Sequence, residues 1–315
     1  MRVMFFGSGD FGAPALRWLA NSSHNVVAVV TQPDRPAGRG KQLQPTPVAE
    51  RALLEGIEIV KCGDVNAPGV IANLHAFKAD IGVVIDFGQK LLGDLRSIFP
   101  SECINVHGSL LPRYRGAAPI ARAILAGETK TGVTVFRLVD RMDAGPILIK
   151  RETMIGPYET AEDLHGRLAG VACDALHAAM RLYEADPLPS GEPQDESQAT
   201  RAPKLSKREA QLDFNESADM IGRRCRAFWP WPGARCRFVG TDGTAVDVTI
   251  CSATATPVSA AEPPGTVTAI LTVAAGVGTL EIHSLQPAGK RVMGWQDFVN
   301  GRHVKPGDRF VNLDL

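Results

Sequence analysis

The residues best suited to chemistry lie in "INVHGSLLPRYRGAAPI", residues 104–120. Asn105 and His107 stand two apart at the end of a β-branched run, so their side chains share one face of a strand. Gly108 and Ser109 then open a tight loop. A carboxamide N–H and a protonated imidazole can both donate to a developing oxyanion, which suits the pair to acyl chemistry. A second stretch, "VDRMDAGPI", leaves a strand at Asp140 and sets Asp143 before Ala144 and Gly145. A carboxylate there could orient the imidazole or take part in proton removal from an attacking amine. Each residue also has an ordinary structural use: a satisfied strand-end histidine, a turn aspartate, a loop-capping asparagine. Specificity comes from their company, Leu110-Leu111-Pro112 and Tyr114-Arg115-Gly116.

Such side chains need a frame. Short β-branched runs at 3–6, 25–30, 57–60, 81–85 and 103–106 alternate with helical stretches such as 13–20 and 67–77. This alternation predicts a mostly parallel sheet covered by helices on both faces, with ligands beyond the carboxyl ends of the strands. Further strands are expected at 132–139 and 146–150. A helix over 160–183 carries Leu164, Leu168, Val171, Ala175 and Met180 at helical spacing. Between 186 and 207 the pattern stops in Pro, Ser and charge, as in a linker. Beyond it one helix near 218–227 precedes turn-bounded strands at 236–239, 246–250, 265–272 and 279–285, with a hairpin turn at Thr241-Asp242-Gly243-Thr244. The expected class is α/β: an N-terminal Rossmann-like, mostly parallel sheet and a small C-terminal, mainly β, OB-like barrel. The expected divisions are 1–188 catalytic, 189–207 linker and 208–315 C-terminal.

The first strand runs into "GSGDFG", residues 7–12, a complete G-x-G-x-x-G. A dinucleotide site also requires an acidic residue ending the second strand, about 20 residues after the glycines. That strand ends Val30-Thr31-Gln32-Pro33, and Asp34 follows only after the proline. The glycines are therefore read as a tight strand-to-helix turn that permits positive φ and close packing.

Lys plus Arg and Asp plus Glu both number 34, so a nucleic-acid partner would have to be held by local basic patches. The six cysteines form no C-x-x-C pair, which suits structural thiols in a reducing compartment rather than disulfides or a zinc site. The apolar start is too short for a signal-peptide core, and no run approaches the roughly 18 residues of a membrane span. A cytoplasmic protein with no membrane partner is expected.

The segments "NVHGSLLPRYRGAAPI", "VDRMDAGPIL" and "TQPDRPAGRGKQLQPTPV" resemble the methionyl-tRNA formyltransferase family. The likeness continues through "KLSKREAQLDF", "RAFWPWPG" and "LQPAGKRVMGWQDFVNG", so it covers nearly the whole chain. The shorter core of Asn-x-His, Ser-Leu-Leu-Pro and a later Asp is shared by a wider group that uses 10-formyltetrahydrofolate. The resemblance implies formyl transfer from that donor to initiator methionyl-tRNA, giving formylmethionyl-tRNA for translation initiation. It implies Asn105, His107 and Asp143 as catalytic residues, with Asp143 positioning and tuning His107. Ser109, Leu110, Leu111, Pro112, Phe87 and Gly88 would line the folate site, with no metal. Where the family has a small residue and then Tyr-Gly, this chain has Asp86-Phe87-Gly88, and the family's pteridine contacts there are largely to backbone.

The long polar loop "QPDRPAGRGKQLQPTPV" carries Arg35, Arg39 and Lys41, and the resemblance makes it the loop that enters the acceptor end of the tRNA. A mobile Arg can meet phosphate or stack on an unpaired base. Arg201, Lys204, Lys207 and Arg208, then Arg223, Arg224 and Arg226 beside Phe228, Trp229 and Trp231, form a second basic track. The two tryptophans are expected to pack the domain, since "WPWPG" reads as a rigid apolar turn. A monomer is expected. A formyltransferase for amino sugar nucleotides would share the core but has no need for "RPAGRGK" or the Lys-Leu-Ser-Lys segment, and an inactive RNA-binding protein would not need the trio.

Overall fold

A computed structural model describes residues 1–37 and 42–313. The chain divides into two compact units, each discontinuous in sequence. The first is Met1–Gly116, Gly132–Thr153 and His165–Arg201; the second is Ala117–Thr131, Met154–Leu164 and Ala202–Leu315.

The strands of the larger sheet are β1 (Arg2–Gly7), β2 (Asn25–Thr31), β5 (Ile59–Lys61), β6 (Ile81–Ile85), β7 (Cys103–His107), β8 (Lys130–Arg137) and β9 (Ile147–Met154). They lie in the order β5-β2-β1-β6-β7-β8-β9. The first five are parallel, and β8 joins β7 antiparallel, with Ile104 opposite Arg137 and His107 opposite Thr134. Every residue of β6 is buried, as expected of a central parallel strand covered on both faces. Beside it Phe6 meets the edges of Phe87 and Phe99 at 5.6 and 6.0 Å between ring centroids. A two-stranded ribbon pairs β3 (Arg35–Ala37) with β4 (Gln42–Gln44), Arg35 opposite Gln44.

Helices α1 (Ala13–Ala20), α2 (Pro47–Leu54), α3 (Pro68–Ala76), α4 (Gly93–Arg96) and α6 (Ala161–Ala185) complete the chain around these strands, and α5 (Pro119–Ala126) belongs to the second unit. The sequence reading had no helix at α2 or α5. Both start with Pro in the first turn, where a missing N–H costs no helical bond, and Thr46 caps α2 through the Ala49 N–H at 3.1 Å.

The glycine turn after β1 departs from expectation in one respect. None of Gly7, Gly9 and Gly12 has positive φ; close approach is what requires them. A Cβ on Gly7 would lie 2.9 Å from the Ile85 carbonyl oxygen, and one on Gly9 1.6 Å from Asp86 Oδ2.

The second unit carries α7 (Ala218–Phe228), capped by Ser217, and α8 (Trp295–Arg302) with an antiparallel sheet. Its strands are β10 (Ala234–Val239), β11 (Ala245–Thr256), β12 (Val273–Ala274), β13 (Thr279–Pro287), β14 (Met293–Gly294) and β15 (Arg309–Val311). The order is β12-β13-β11-β10-β15, with β14 on β13. The β10–β11 hairpin turns at Gly243, φ 83°, where Asp242 Oδ1 accepts from the Thr244 N–H at 2.9 Å. The strand expected over 265–272 is instead a turn with two isolated bridges, Thr266 to Arg309 and Val267 to Val273. Its main chain still pairs, the Val267 N–H donating to the Asp308 carbonyl and the Phe310 N–H to the Gly265 carbonyl at 2.7 Å each, but the run is broken when the Thr268 N–H turns back to the Thr272 carbonyl at 2.8 Å.

Phe238 centres this core, 5.3 Å from Phe298 and 5.4 Å from Phe310 between centroids. Phe238→Ala is expected to destabilise the unit by about 3–5 kcal/mol, the cost of a large buried cavity. Urea unfolding checks this, and a loss below about 1 kcal/mol would contradict the central placing of the ring.

Candidate active site

The five parallel strands end on one edge of the sheet. From β1 the chain goes to one side for β2 and β5 and to the other for β6 and β7, so that edge holds the topological switch point. The segments arriving there are Gly7 to Gly9, Gln32, Asp86 to Gly88 and the end of β7. They are stitched together: the Ser8 and Gly9 N–H groups donate to the Asp86 carbonyl at 3.0 and 3.1 Å. Ser8 Oγ and Gln32 Nε2 donate to the Phe87 carbonyl at 3.2 and 2.9 Å.

At the end of β7, Asn105 is half-buried and His107 is 8 % exposed. His107 Nε2 lies 2.9 Å from the Tyr114 carbonyl oxygen. A carbonyl only accepts, so Nε2 carries a proton, and Nδ1 is the nitrogen that faces Asp143 Oδ2 at 4.0 Å. The same Oδ2 accepts from the Gly116 N–H at 2.8 Å. Among the described residues, no hydrogen bond engages the Asn105 carboxamide, which leaves its N–H groups for a ligand.

The loop after β7 is rigidly satisfied. Thr134 Oγ1, fully buried, donates to the Ser109 carbonyl at 2.7 Å and accepts from the Leu111 N–H at 3.1 Å. Ser109 Oγ donates to the Arg113 carbonyl at 2.7 Å. Leu111 packs with Phe136 and Ile147, and Pro112 is buried. Phe87 is likewise a core side chain, 2 % exposed, while Gly88 has φ 78°. Of the residues expected around folate, Ser109, Leu111, Pro112 and Phe87 thus use their side chains inside the protein. Leu110 is partly exposed.

Asp86 stands beside them with φ 49°. The residue is exposed to solvent, but the atoms packed round its carboxyl, the Gly9 backbone among them, desolvate it in part and push it above the usual carboxylate range; His165 opposes the shift and Asp10 adds to it. Asp10, Asp86 and His165 bring one ligand atom each within 4.8 Å of one another, a donor set that could hold a metal ion.

The residues expected to meet RNA are distributed over both units. Arg35 is exposed and donates to Gln32 Oε1. Arg39 and Lys41 lie outside the described residues. Lys204, Lys207 and Arg208 are exposed in the second unit, as is Arg201 in the first. Arg223 and Arg224 are instead paired with Asp219 and Glu216 at 2.6 and 3.0 Å, and burial lowers the pKa of Arg226, whose Nη1 donates to the Glu159 carbonyl at 3.4 Å. Trp229 is half-buried and donates from Nε1 to Glu162 at 2.9 Å, whereas Trp231, expected to pack the domain, is 51 % exposed.

All six cysteines are free, and desolvation raises their thiols, Cys251 to about 12. Among the described residues no helix is long and apolar enough to cross a membrane.

Sequence reasoning passed over Thr134 and Gln194, which help hold this site, and marked Gly116 only as part of the motif. None belongs to a reactive type, and Gln194 sits in a stretch read as a linker, so no local signal could have marked it.

Comparison with known proteins places the chain in a family. Residues 1–180 match the formyl transferase family model and 204–303 the formyl transferase C-terminal domain model. A methionyl-tRNA formyltransferase of Methylococcus capsulatus is 43 % identical over 312 residues, covering 98 % of this chain and 99 % of the relative. One from Hydrogenovibrio crunogenus is 39 % identical over 308 residues, covering 96 % and 97 %. The crystal structure of an N-formyltransferase from Helicobacter canadensis, in complex with folinic acid and dTDP-3-aminofucose, shares the fold with a TM-score of 0.62. It is 15 % identical and covers 90 % of this chain and 98 % of that one.

A raised Asp86 pKa means that folding loses stability as pH climbs from the ordinary carboxyl range through the raised value, and that nothing is lost in acid. Asn tolerates the left-handed conformation. Because solvent reaches the exposed carboxyl and screens it, Asp86→Asn is expected to melt only slightly higher than the parent at pH 7, with the difference closing below about pH 4. Equal melting temperatures at pH 7 would contradict the desolvation at this position.

Proposed function

The chain belongs to the methionyl-tRNA formyltransferase family, and we propose that it moves the formyl group of 10-formyltetrahydrofolate onto the methionine amino group of initiator methionyl-tRNA. The reading is carried by one observation: a chain matching such enzymes over 98 % of its length sets His107 against Asp143 at the carboxyl edge of its sheet, with the Asn105 amide unengaged.

In this reading the neutral amine attacks the formyl carbon, and the carbonyl oxygen becomes a tetrahedral oxyanion. The Asn105 amide N–H donates to that oxygen. His107, oriented through Nε2 by the Tyr114 carbonyl, handles the proton that the amine loses and that N10 gains when its bond to the formyl carbon breaks. Asp143 faces Nδ1 and stabilises positive charge there. No nucleophile of the protein is consumed.

Folate would lie along the main chain of Ser109 to Pro112 and Asp86 to Gly88, with Leu110 as apolar contact. This is supported by the burial of the neighbouring side chains and by the folinic acid named for the Helicobacter canadensis enzyme. Residues 1–188 would form the catalytic domain, 189–207 the linker and 208–315 the tRNA-binding domain. Arg35, Arg39, Lys41, Lys204, Lys207 and Arg208 would meet tRNA phosphate. A monomer working in the cytoplasm completes this reading.

Formyl transfer to charged initiator tRNA, with elongator methionyl-tRNA and an amino sugar nucleotide as parallel acceptors, tests the reading; exclusive formylation of the sugar would overturn it. Asp143→Asn is expected to lower turnover by roughly 100-fold or more. Neutralising phosphates with exposed lysine and arginine should make KM for tRNA rise steeply with salt. A flat KM between low and moderate salt would remove the basic residues from the tRNA surface.

A further inference from the structure

Asp143 is held by a partly buried polar clamp that reaches it from far along the chain. The residue has φ 51°, a left-handed conformation that Asp adopts more readily than most residues. Gln194 Nε2 donates to the Asp143 carbonyl at 2.9 Å and to the Gly145 carbonyl at 2.8 Å. Both amide hydrogens of Gln194 are thus engaged by the loop. Its Oε1 accepts from Arg115 Nε at 3.1 Å and Nη2 at 2.7 Å.

Arg115 is 8 % exposed, and the rest of its fork is bidentate to Glu196, Nη1 to Oε2 at 3.0 Å and Nη2 to Oε1 at 2.9 Å. The guanidinium holds the Glu196 carboxyl below its usual range. Glu196 also pairs with Arg141 of the Asp143 loop at 2.8 Å. The main chain of Arg115 is fixed by its own N–H, which donates to the Thr200 carbonyl at 2.9 Å. The next N–H, that of Gly116, is the donor to Asp143 Oδ2. One side chain therefore fixes the backbone of Asp143 while the adjoining residue of the same assembly fixes its carboxylate.

We propose that Gln194 and Arg115 are positioning residues for the transfer reaction, holding the Asp143 carboxylate toward His107 Nδ1 without touching substrate. The inference rests on the proposed role of Asp143. An Asp143 loop freed from Gln194 keeps its residues but loses the fixed placement of one carboxylate oxygen, and displacement of a catalytic group by about 1 Å costs rate by up to ~100-fold.

Gln194→Glu keeps the acceptor for Arg115 and removes both donors to the loop; Gln194→Met removes all polar contacts at similar volume and serves if the added charge disturbs folding. Each is measured alone and with Asp143→Asn, in a cycle of formyl-transfer kinetics. The single variants are expected to lose roughly 10- to 100-fold in kcat with KM for both substrates within about twofold. In the Asp143→Asn background the same substitutions are expected to cost nothing further, because they act through that carboxylate. An unchanged kcat in both Gln194 variants, with Asp143→Asn impaired, overturns the clamp alone. An equal loss in both backgrounds makes Gln194 a general structural residue and also overturns it. If Asp143→Asn itself retains full turnover, the catalytic reading falls and the clamp with it.

Discussion

The arrangement depends on one carboxylate oxygen. Asp143 Oδ2 takes the Gly116 N–H and faces the His107 imidazole, whose other nitrogen is engaged by the Tyr114 carbonyl. The ring is therefore oriented from both sides, by a main-chain acceptor and by a charge. Sheet topology makes this hard to achieve. Because β8 runs antiparallel to β7, it ends at Arg137 opposite Ile104, away from the end of β7 where His107 stands. The segment after β8 must travel back to bring Asp143 to the imidazole. Gly145 permits the return, since a Cβ there would lie 1.7 Å from the Arg137 carbonyl oxygen.

The carboxyl edge is built mainly of satisfied main chain. Thr134 supports the loop after His107 from beneath, and Ser8 and Gln32 tie down the loop after β6. Buried polar groups paired in this way are stiff, because breaking one bond leaves a desolvated donor or acceptor without a partner. A surface of fixed backbone groups with core-packed side chains suits recognition of a flat, polar ring system. It also explains how Phe87 can stand at this position while its ring faces the core. Asp86 is the exception, a carboxyl crowded against Gly9 and close to Asp10 and His165.

The second unit divides its cations between structure and surface. Arg223, Arg224 and Arg226 look equivalent to Lys204, Lys207 and Arg208 as a run of charge. The first three sit on α7 with acceptors within reach, whereas the others are exposed. Helical spacing supplies part of the reason, since Asp219 and Arg223 are four apart on one face. Exposed cations retain the freedom to meet phosphate, and paired ones have already exchanged water for a partner.

Much of this was legible in residue order. The alternation of β-branched runs and helical stretches specified the parallel sheet, and the strand over residues 81–85 was read to the residue because its apolar run has sharp polar bounds. Asn105 and His107 share a strand face through simple alternation, and "NVHGSLLPRYRGAAPI" with "VDRMDAGPIL" carried the family. Patterns of period 2 and 3.6 are local, so the chain displays them directly. The stretch 265–272 reads as one strand because Thr and Val favour strands, but its main chain pairs with 307–310 only up to Val267 and then turns back from Thr268 to Thr272. The return of Asp143, the backing of its loop by Gln194 some 51 residues later and the closure of Arg115 on Glu196 across 81 residues depend on contacts distant in sequence. Sequence by itself determined which residues could react and which elements would carry them. Tertiary structure decided which nitrogen of His107 meets the carboxylate and what holds that carboxylate still, because hydrogen-bond geometry between remote segments exists only once the chain has folded.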